Sequence, residues 1–596
     1  MTSLPTITNG PAVSHDATSM YQYGQGLLFQ PRPIEVIVIG AGLSGIAGVK
    51  LFKEKFGDSP IKFRIYEKNH DVCGTWLENR YPGCACDVPA HGYTYPWEGN
   101  PYWSRGYVGS EEIFDYFKGR AETYGVFDYV KLSHKVIGAV WNQQMGKWKV
   151  EIEDLQTRQT FFDEAEFFIN AGGFLNKWRY PDIAGIGQFK GHLAHSASWD
   201  QTYDYNGKTV AVIGSGSSAI QIVPSLQPIV KKLISINRSA TWITPEMGAG
   251  GGPEGRETTY TKEQQKYWAE NPEEFLRMRK GIENSMNHLF EIHYVDSDAQ
   301  KNMAGIFGQQ MRERLSAKPE VADQLIPKFN VGCRRITPGT GYLEALASKN
   351  VDVHFGGVSK ITQSGLEMED GTMLEVDAIV CATGFDTSFK PAFPLIGPNG
   401  HDLRDVWKDE PPSYLSVGAA GFPNYFSSST LSEAFYGNYS DLVTVIGGPN
   451  FTFANGVFLI SVETAWNYIF QVIEKVQTEG IISLSPKQRA VDDFQAHKDS
   501  LMNDMVWTGP CASWYKLGKR DGKVFGPWPG SSIHFIEAMS RPRWEDYDYE
   551  YIKDNRFNYF GRGMTIRESK HGDLAYYLRE RGLCYDEAPK QESGLF

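Results

Sequence analysis

Two glycine-rich turns carry the first chemistry in this chain. In Gly40-Ala41-Gly42-Leu43-Ser44-Gly45 the three glycines Gly40, Gly42 and Gly45 have separate mechanical roles. The first makes the turn, the second lets backbone approach a pyrophosphate, and the third lets a helix pack on a strand. The pyrophosphate then faces the positive end of that helix. Glu67 follows Gly45 by 22 residues and is placed to accept hydrogen bonds from both hydroxyls of a ribose without a 2′-phosphate. The pattern recurs in Gly214-Ser215-Gly216-Ser217-Ser218-Ala219, with Gly214, Gly216, Ser217 and Ser218 assigned to cofactor binding. Where the first unit has an acid, this one has Asn237-Arg238-Ser239. An arginine there can pair with a 2′-phosphate, so the second site favours NADP(H). One site of each kind implies FAD and NADPH as cofactors.

Each turn needs a strand before it and a helix after it. Val36 to Ile39 and Val210 to Ile213 are short β-branched runs suited to buried parallel strands. Helix-forming residues follow from Ile46 to Lys55 and through Val223, and second strands are expected at Lys62 to Tyr66 and Leu233 to Ile236. Downstream parts are duplicated too. Hairpins are expected over Lys147 to Asp154 with Gln159 to Phe162, and over Leu366 to Leu374 about Asp370-Gly371. Each precedes a buried strand ending in small residues, Ala171-Gly172-Gly173 and Ala382-Thr383-Gly384. Thr383 and Gly384 are thereby returned toward the nucleotide. The fold class read from this order is α/β, with two Rossmann-like dinucleotide-binding domains and a helical insertion in the second.

The segment Phe189-Lys190-Gly191-His192-Leu193-Ala194-His195-Ser196-Ala197-Ser198-Trp199-Asp200 closely resembles the fingerprint of the flavin-dependent Baeyer–Villiger monooxygenases. Its fixed positions are met by Phe189, Gly191, His195, Trp199 and Asp200. In that family the segment joins two domains, and its histidine is structural or conformational. Further likenesses are Gly74-Thr75-Trp76, Asn79 to Gly83 and Cys86-Asp87, which look like the family's flavin-contacting loop. The chain departs from the family in having Cys73 where a glycine is usual. The resemblance implies that Thr75 and Trp76 contact flavin, that Asp87 is the active-site aspartate, and that Arg335 is the catalytic arginine. It also implies that Arg334 joins Arg238 in holding the 2′-phosphate, and that Trp514, in Cys511 to Tyr515, closes over the nicotinamide cofactor. The reaction it implies uses NADPH, O2 and a flavin C4a-peroxide to insert one oxygen beside a ketone carbonyl, giving an ester or lactone. An obligate cation such as Arg335 suits a peroxide anion and an oxyanion adduct.

The whole chain has 596 residues, more than one hydrophobic core usually fills. A FAD-binding domain is expected over 35–180 and 386–540, and an NADP-binding domain over 181–250 and 331–385. A helical subdomain takes 251–330, a place where family members build part of the substrate pocket, and extensions take 1–34 and 541–596. Gly248 to Gly252 reads as a flexible linker, and Asn271-Pro272-Glu273-Glu274 as a helix start with Asn271 as N-cap. Late helices are expected at Val457 to Val476 and Pro486 to Met505. In the tail, Trp544, Tyr547, Tyr549, Tyr551, Phe557, Tyr559 and Phe560 argue for packing rather than disorder.

A net charge of −12 argues against a nucleic-acid partner. Seven cysteines, an odd count in a long chain, make a disulfide framework an unfavoured expectation and a reduced, cytoplasmic setting the favoured one. Cys84 and Cys86 lack the spacing and the second pair of a zinc site, so no metal is expected. The start lacks a secretory signal pattern, and the uncharged run Leu442 to Val462 is broken by Gly447-Gly448-Pro449-Asn450, so no membrane span is expected. The expected partners are a small ketone and O2, and the oligomeric state is left open, a monomer among the options. Two enzymatic rivals share the nucleotide sites. An N- or S-oxygenating flavin monooxygenase is disfavoured by Trp199 and Arg335, and a flavin disulfide reductase by the lack of a Cys-x-x-Cys or Cys-x-x-x-x-Cys pair. A catalytically inactive flavin- and NADP-binding protein would have no need of Arg335, Asp87 and Trp514 together.

Overall fold

The computed structural model describes residues 21–173, 177–246, 259–427, 448–451, 455–456 and 459–578. Two five-stranded parallel sheets position the glycine turns. The first has the order Tyr425–Ser427, Phe167–Asn170, Ile34–Ile39, Ile61–Tyr66, Val130–Lys131. Its central strand is apolar on both faces, with Val36, Ile37 and Val38 wholly buried, as a parallel strand covered on both sides requires. One cover is the late helix Leu459–Thr478, whose Trp466 Nε1 donates to the Ser44 carbonyl at 2.9 Å. The second sheet has the order Val351–Phe355, Lys232–Asn237, Thr209–Ile213, Ala378–Cys381, His192–His195. Its register sets Cys381 beside both Ile213 and His195, so the fingerprint histidine ends an edge strand next to Ala382-Thr383-Gly384.

Both expected hairpins form. Lys147–Asp154 pairs with His134–Asn142 and Thr160–Ala165, and Gly365–Met368 pairs with Met373–Glu375. Asp370 Oδ1 accepts the Thr372 N–H at 2.9 Å in the second turn. The first helix, Leu43–Phe56, begins three residues before Ile46, because the glycine turn is itself the first helical turn. The expected late helices are Leu459–Thr478 and Gln488–Met502. The helical stretch contains Lys262–Glu270, Pro272–Asn287, Asp298–Arg314 and Pro319–Leu325. Asn271 stands at the expected start, but its side chain does not cap the helix it precedes. Its amide instead donates to the Tyr267 carbonyl at 2.8 Å, because the same residue also closes the preceding helix and satisfies that helix's open end.

One expectation is overturned. Cys333 and Cys511, 178 residues apart, form a disulfide with Cα atoms 6.3 Å apart. An odd cysteine count excludes complete pairing but not one bridge, and a bridge made by tertiary proximity leaves no spacing signal. Cys73, Cys84, Cys86 and Cys381 are buried and form no disulfide.

The described chain divides into two compact units. One contains residues 33–474 and 482–550, with the sheets above. Within it Tyr547 is buried, its hydroxyl 2.8 Å from that of Tyr468. The other contains 21–32, 475–481 and 551–578, where Leu28 bridges Thr565 and the Phe29 and Tyr559 rings lie 5.5 Å apart. No helix of the described residues is long and apolar enough to cross a membrane. The Gly248 to Gly252 linker and most of the Leu442 to Val462 run lie outside the described residues.

Candidate active site

Gly40 and Gly214 open the two turns, with φ of +92° and +126°. A Cβ at Gly40 would fall 2.7 Å from the Ala171 carbonyl oxygen, and one at Gly214 only 2.3 Å from that of Ala382. Neither conformation nor space admits a side chain, so each turn packs directly on the backbone that follows the neighbouring strand. Gly42 and Gly216 precede the helices Leu43–Phe56 and Ser217–Leu226, and Gly45, Ser217 and Ser218 lie buried within them. Ser217 Oγ is 3.1 Å from Thr337 Oγ1, a partner that sequence reasoning missed.

A groove at the end of the first sheet is lined by Gly40, Glu67, Asn170, Gly172, Lys390 and Phe393, among others. Glu67 is buried and does more than face a ribose: Oε2 accepts the Ala41 N–H at 2.7 Å and Oε1 that of Asn69 at 2.8 Å. It thereby ties the second strand to the glycine turn. Burial pushes its carboxyl up, and the two N–H donors pull against that shift. Gly74 packs against Gly42, and Cys73 keeps the glycine-like path of the loop with φ +79°. The cysteine therefore costs local strain of about 1–2 kcal/mol without rerouting the chain. Thr75 and Trp76 start the short helix Thr75–Glu78, both buried, with Trp76 Nε1 donating to the Tyr93 hydroxyl at 3.2 Å.

At the second turn, exposed Arg238 follows the strand Lys232–Asn237, beside half-buried Ser239. Arg334, only 3% exposed, reaches the same loop: its Nη2 donates to Ser239 Oγ at 3.2 Å and to the Ala240 carbonyl. Its guanidinium lies over the Phe329 ring, 5.0 Å from the centroid.

Arg335 and Asp87, 248 residues apart, meet in a bidentate pair with Nε to Oδ2 and Nη2 to Oδ1 both 3.0 Å. The Asp87 side chain is 1% exposed and that of Arg335 17%, so the carboxylate is shut in while the cation keeps an open side. Two parallel bonds fix the guanidinium plane. The pair lies on the wall of a cleft whose other walls include Val88, Met286, Leu289, Ile292, His293 and Tyr515.

The fingerprint residues stand elsewhere. Phe189 packs on the second sheet's core. A Cβ at Gly191 would fall 2.4 Å from the Asp377 carbonyl oxygen and 2.5 Å from the Phe189 ring, which explains the glycine. His195 is fully buried, stacked on Trp178 at 4.7 Å. Its Nδ1 accepts the Ala197 N–H at 3.1 Å, and Nε2 lies 3.5 Å from Thr383 Oγ1. Burial lowers its pKa to about 4, so the ring is neutral at pH 7. Gly384, with φ +81°, follows Thr383. Trp199 stacks on Tyr205, and Asp200 caps its own turn by accepting from Thr202 N–H at 2.8 Å. These residues shape the segment between the sheets and do not line the Arg335 cleft. Trp514 is buried in the short turn Trp514–Lys516, with its ring against Tyr515. Tyr515, not Trp514, is the member of that turn on the cleft wall.

Residues 34–293 match the model of the flavin-binding monooxygenase-like family. The FAD-binding monooxygenase tazF of Aspergillus terreus is 37% identical over 557 residues, covering 92% of this chain and 95% of that protein. A Baeyer–Villiger monooxygenase of Streptomyces coelicolor is 33% identical over 531 residues, covering 86% and 92%. The chain belongs to the flavin-dependent Baeyer–Villiger monooxygenase family. The crystal structure of cyclohexanone monooxygenase from Rhodococcus sp. Phi1 bound to NADP+ shares the fold, with a TM-score of 0.71 at 23% identity over 88% of this chain and all of that one. In this monooxygenase the cleft residues that sequence reasoning missed are His293, Met286 and Leu289, from the helical stretch, together with Tyr515. Their segments carried signals, but no residue type or spacing among them marks a cleft wall.

Proposed function

We propose that this enzyme is an NADPH- and FAD-dependent Baeyer–Villiger monooxygenase. It converts a ketone, O2 and NADPH, with one proton, into an ester or lactone, NADP+ and water. The observation that carries this reading is the bidentate Arg335–Asp87 pair on the wall of a cleft that Met286, Leu289 and Ile292 also line. The groove beside Gly40 fits FAD, because the glycine turn, Gly172 and the Glu67 carboxyl line it together, and each carboxylate oxygen can accept a bond beyond the one it holds. The second turn fits NADPH, with Arg238, Ser239 and Arg334 gathered where a 2′-phosphate would lie. Bound FAD supplies the activation of O2, and NADPH supplies the electrons.

The chain's own residues do the rest. Arg335 presents a fixed positive charge where negative charge develops on oxygen during transfer, and it cannot give up its proton near neutral pH. Asp87 holds that guanidinium in one orientation, so little reorganisation accompanies the reaction. Val88, Met286, Leu289 and Ile292 exclude water and pack against the carbon skeleton of the ketone. Trp514 and Tyr515 form the loop that covers the nicotinamide side. The division into FAD-binding (35–180, 386–540) and NADP-binding (181–250, 331–385) domains is part of the same proposal.

The test is to purify the protein, record its flavin spectrum, and follow NADPH consumption and products across ketones, amines and sulfides. Ester from ketones is the expected result. N-oxide or sulfoxide without any ester would replace this reading with that of an N- or S-oxygenating enzyme.

A further inference from the structure

The Cys333–Cys511 bridge joins two segments that the function treats separately. Cys333 lies between Gly332 and Arg334, both on the cleft wall, and immediately precedes the arginine pair. Cys511 opens the loop that carries Trp514 and Tyr515, and Tyr515 forms part of the same wall. Both cysteines are buried, at 0% and 2% exposure. The loop also folds on hydrogen bonds of its own, and the Tyr515 carbonyl accepts the Phe525 and Gly526 N–H groups. Lys516 Nζ donates to the Gly509 and Arg520 carbonyls, Gly518 N–H to the Ser513 carbonyl, and Leu517 sits at φ +55°. The other described cysteines form no disulfide, so this bridge is not one member of a structural framework. Isolated cystines of that kind are commonly redox-sensing rather than permanent in reduced compartments.

We propose that Cys333 and Cys511 form a reversible redox modification site that fastens the loop 509–520 to the Arg334–Arg335 segment when oxidised and releases it when reduced. The oxidant is a peroxide. Two thiols lose two electrons and two protons to one H2O2, its O–O bond breaks, an S–S bond forms, and two waters leave. A dithiol reverses the step by thiolate exchange, restoring both thiols and becoming a disulfide itself. Lys519 and Arg520 are exposed with the bridge closed, whereas Lys516 is buried, so cleavage after Lys516 reports release of the loop. The significance of the site rests on the oxygenase reading, but its existence does not.

The test uses full-length holoenzyme treated with dithiothreitol and desalted, then divided and one half exposed to equimolar H2O2. Non-reducing peptide mapping should show a linked Cys333–Cys511 pair only after peroxide, with denatured thiols falling from seven to five. Trypsin should cut after Lys516 roughly tenfold faster in the reduced protein, because proteolysis follows the population of the opened state. Cys511→Ala should cut at the reduced rate whether or not peroxide is added. The untreated and treated wild type carry the same comparison if that variant folds poorly. The proposal is overturned if no linked peptide forms, if dithiothreitol leaves the bridge intact, or if cleavage is equal in the two states. Absence of ester from every ketone, with these results unchanged, would overturn the proposed function and leave the bridge standing.

Discussion

Replacing Arg335 by alanine leaves a carboxylate that is 1% exposed without its two bonds of 3.0 Å. Breaking a buried pair by removing one partner typically costs about 3–5 kcal/mol, since the remaining charge stays desolvated. Arg335 borders the cleft, so water can enter its place, and the lower end, about 3 kcal/mol, applies. Neutralising the orphan should restore most of that loss: Asp87→Asn in the Arg335→Ala background is expected to recover about 2 kcal/mol. Catalysis should not follow. Both variants lack the fixed cation, and loss of a preorganised charge-stabilising donor lowers turnover by about 10²–10³. The assay pairs urea-unfolding midpoints for the four members of the cycle with ester yield per NADPH consumed. Flavin reduction, followed by stopped-flow absorbance, should persist in both variants. If the double variant is no more stable than Arg335→Ala, the buried pair has been misjudged. If Arg335→Ala makes ester at the wild-type rate, the arginine has no part in the chemistry.

Arg238→Ala should raise KM for NADPH about tenfold and leave that for NADH unchanged, as loss of a charge-assisted bond to a 2′-phosphate requires; equal effects in steady-state kinetics would refute the assignment. Gly40→Ala should cost on the order of 1–3 kcal/mol and lower the flavin-to-protein ratio, because its Cβ meets the Ala171 carbonyl at φ +92°; a wild-type ratio would contradict this. Acid should destabilise the fold through two buried histidines, His91 and His195, whose pKa values burial lowers to about 3 and about 4. Unfolded histidine titrates near pH 6.5, so between that value and the folded pKa the unfolded chain binds more protons. Stability is therefore lost as pH falls from about 6.5 toward 4, on the order of 3 kcal/mol for His195. Melting temperature against pH checks the slope, and His195→Gln should flatten it; an unaltered slope would count against the buried neutral ring.

Features carried by local chemistry were legible in the residues. The turns at Gly40 and Gly214 sit where positive φ and close carbonyls demand glycine. The runs before them become buried parallel strands because β-branched residues suit sheets covered on both faces. The resemblance singles out Asp87 and Arg335, and the fold brings the two within bonding distance across 248 residues. What escaped depends on tertiary proximity. Nothing near Cys333 or Cys511 marks the other as its partner, and Asn271 follows the cap rule until a preceding helix claims its amide. His293 and Tyr515 lie on the cleft wall through how the helical stretch and the late loop come together, and no periodicity encodes that.

In the proposed reaction a cation fixed by Asp87 directs one atom of O2 into a carbon–carbon bond beside a carbonyl. Turnover of a ketone by the purified enzyme with NADPH under 18O2, analysed by mass spectrometry, tests it most directly. An ester carrying one 18O atom in its ring or chain oxygen is the predicted product. NADPH oxidation that yields only labelled hydrogen peroxide, with the ketone recovered unchanged across the panel, would contradict the account.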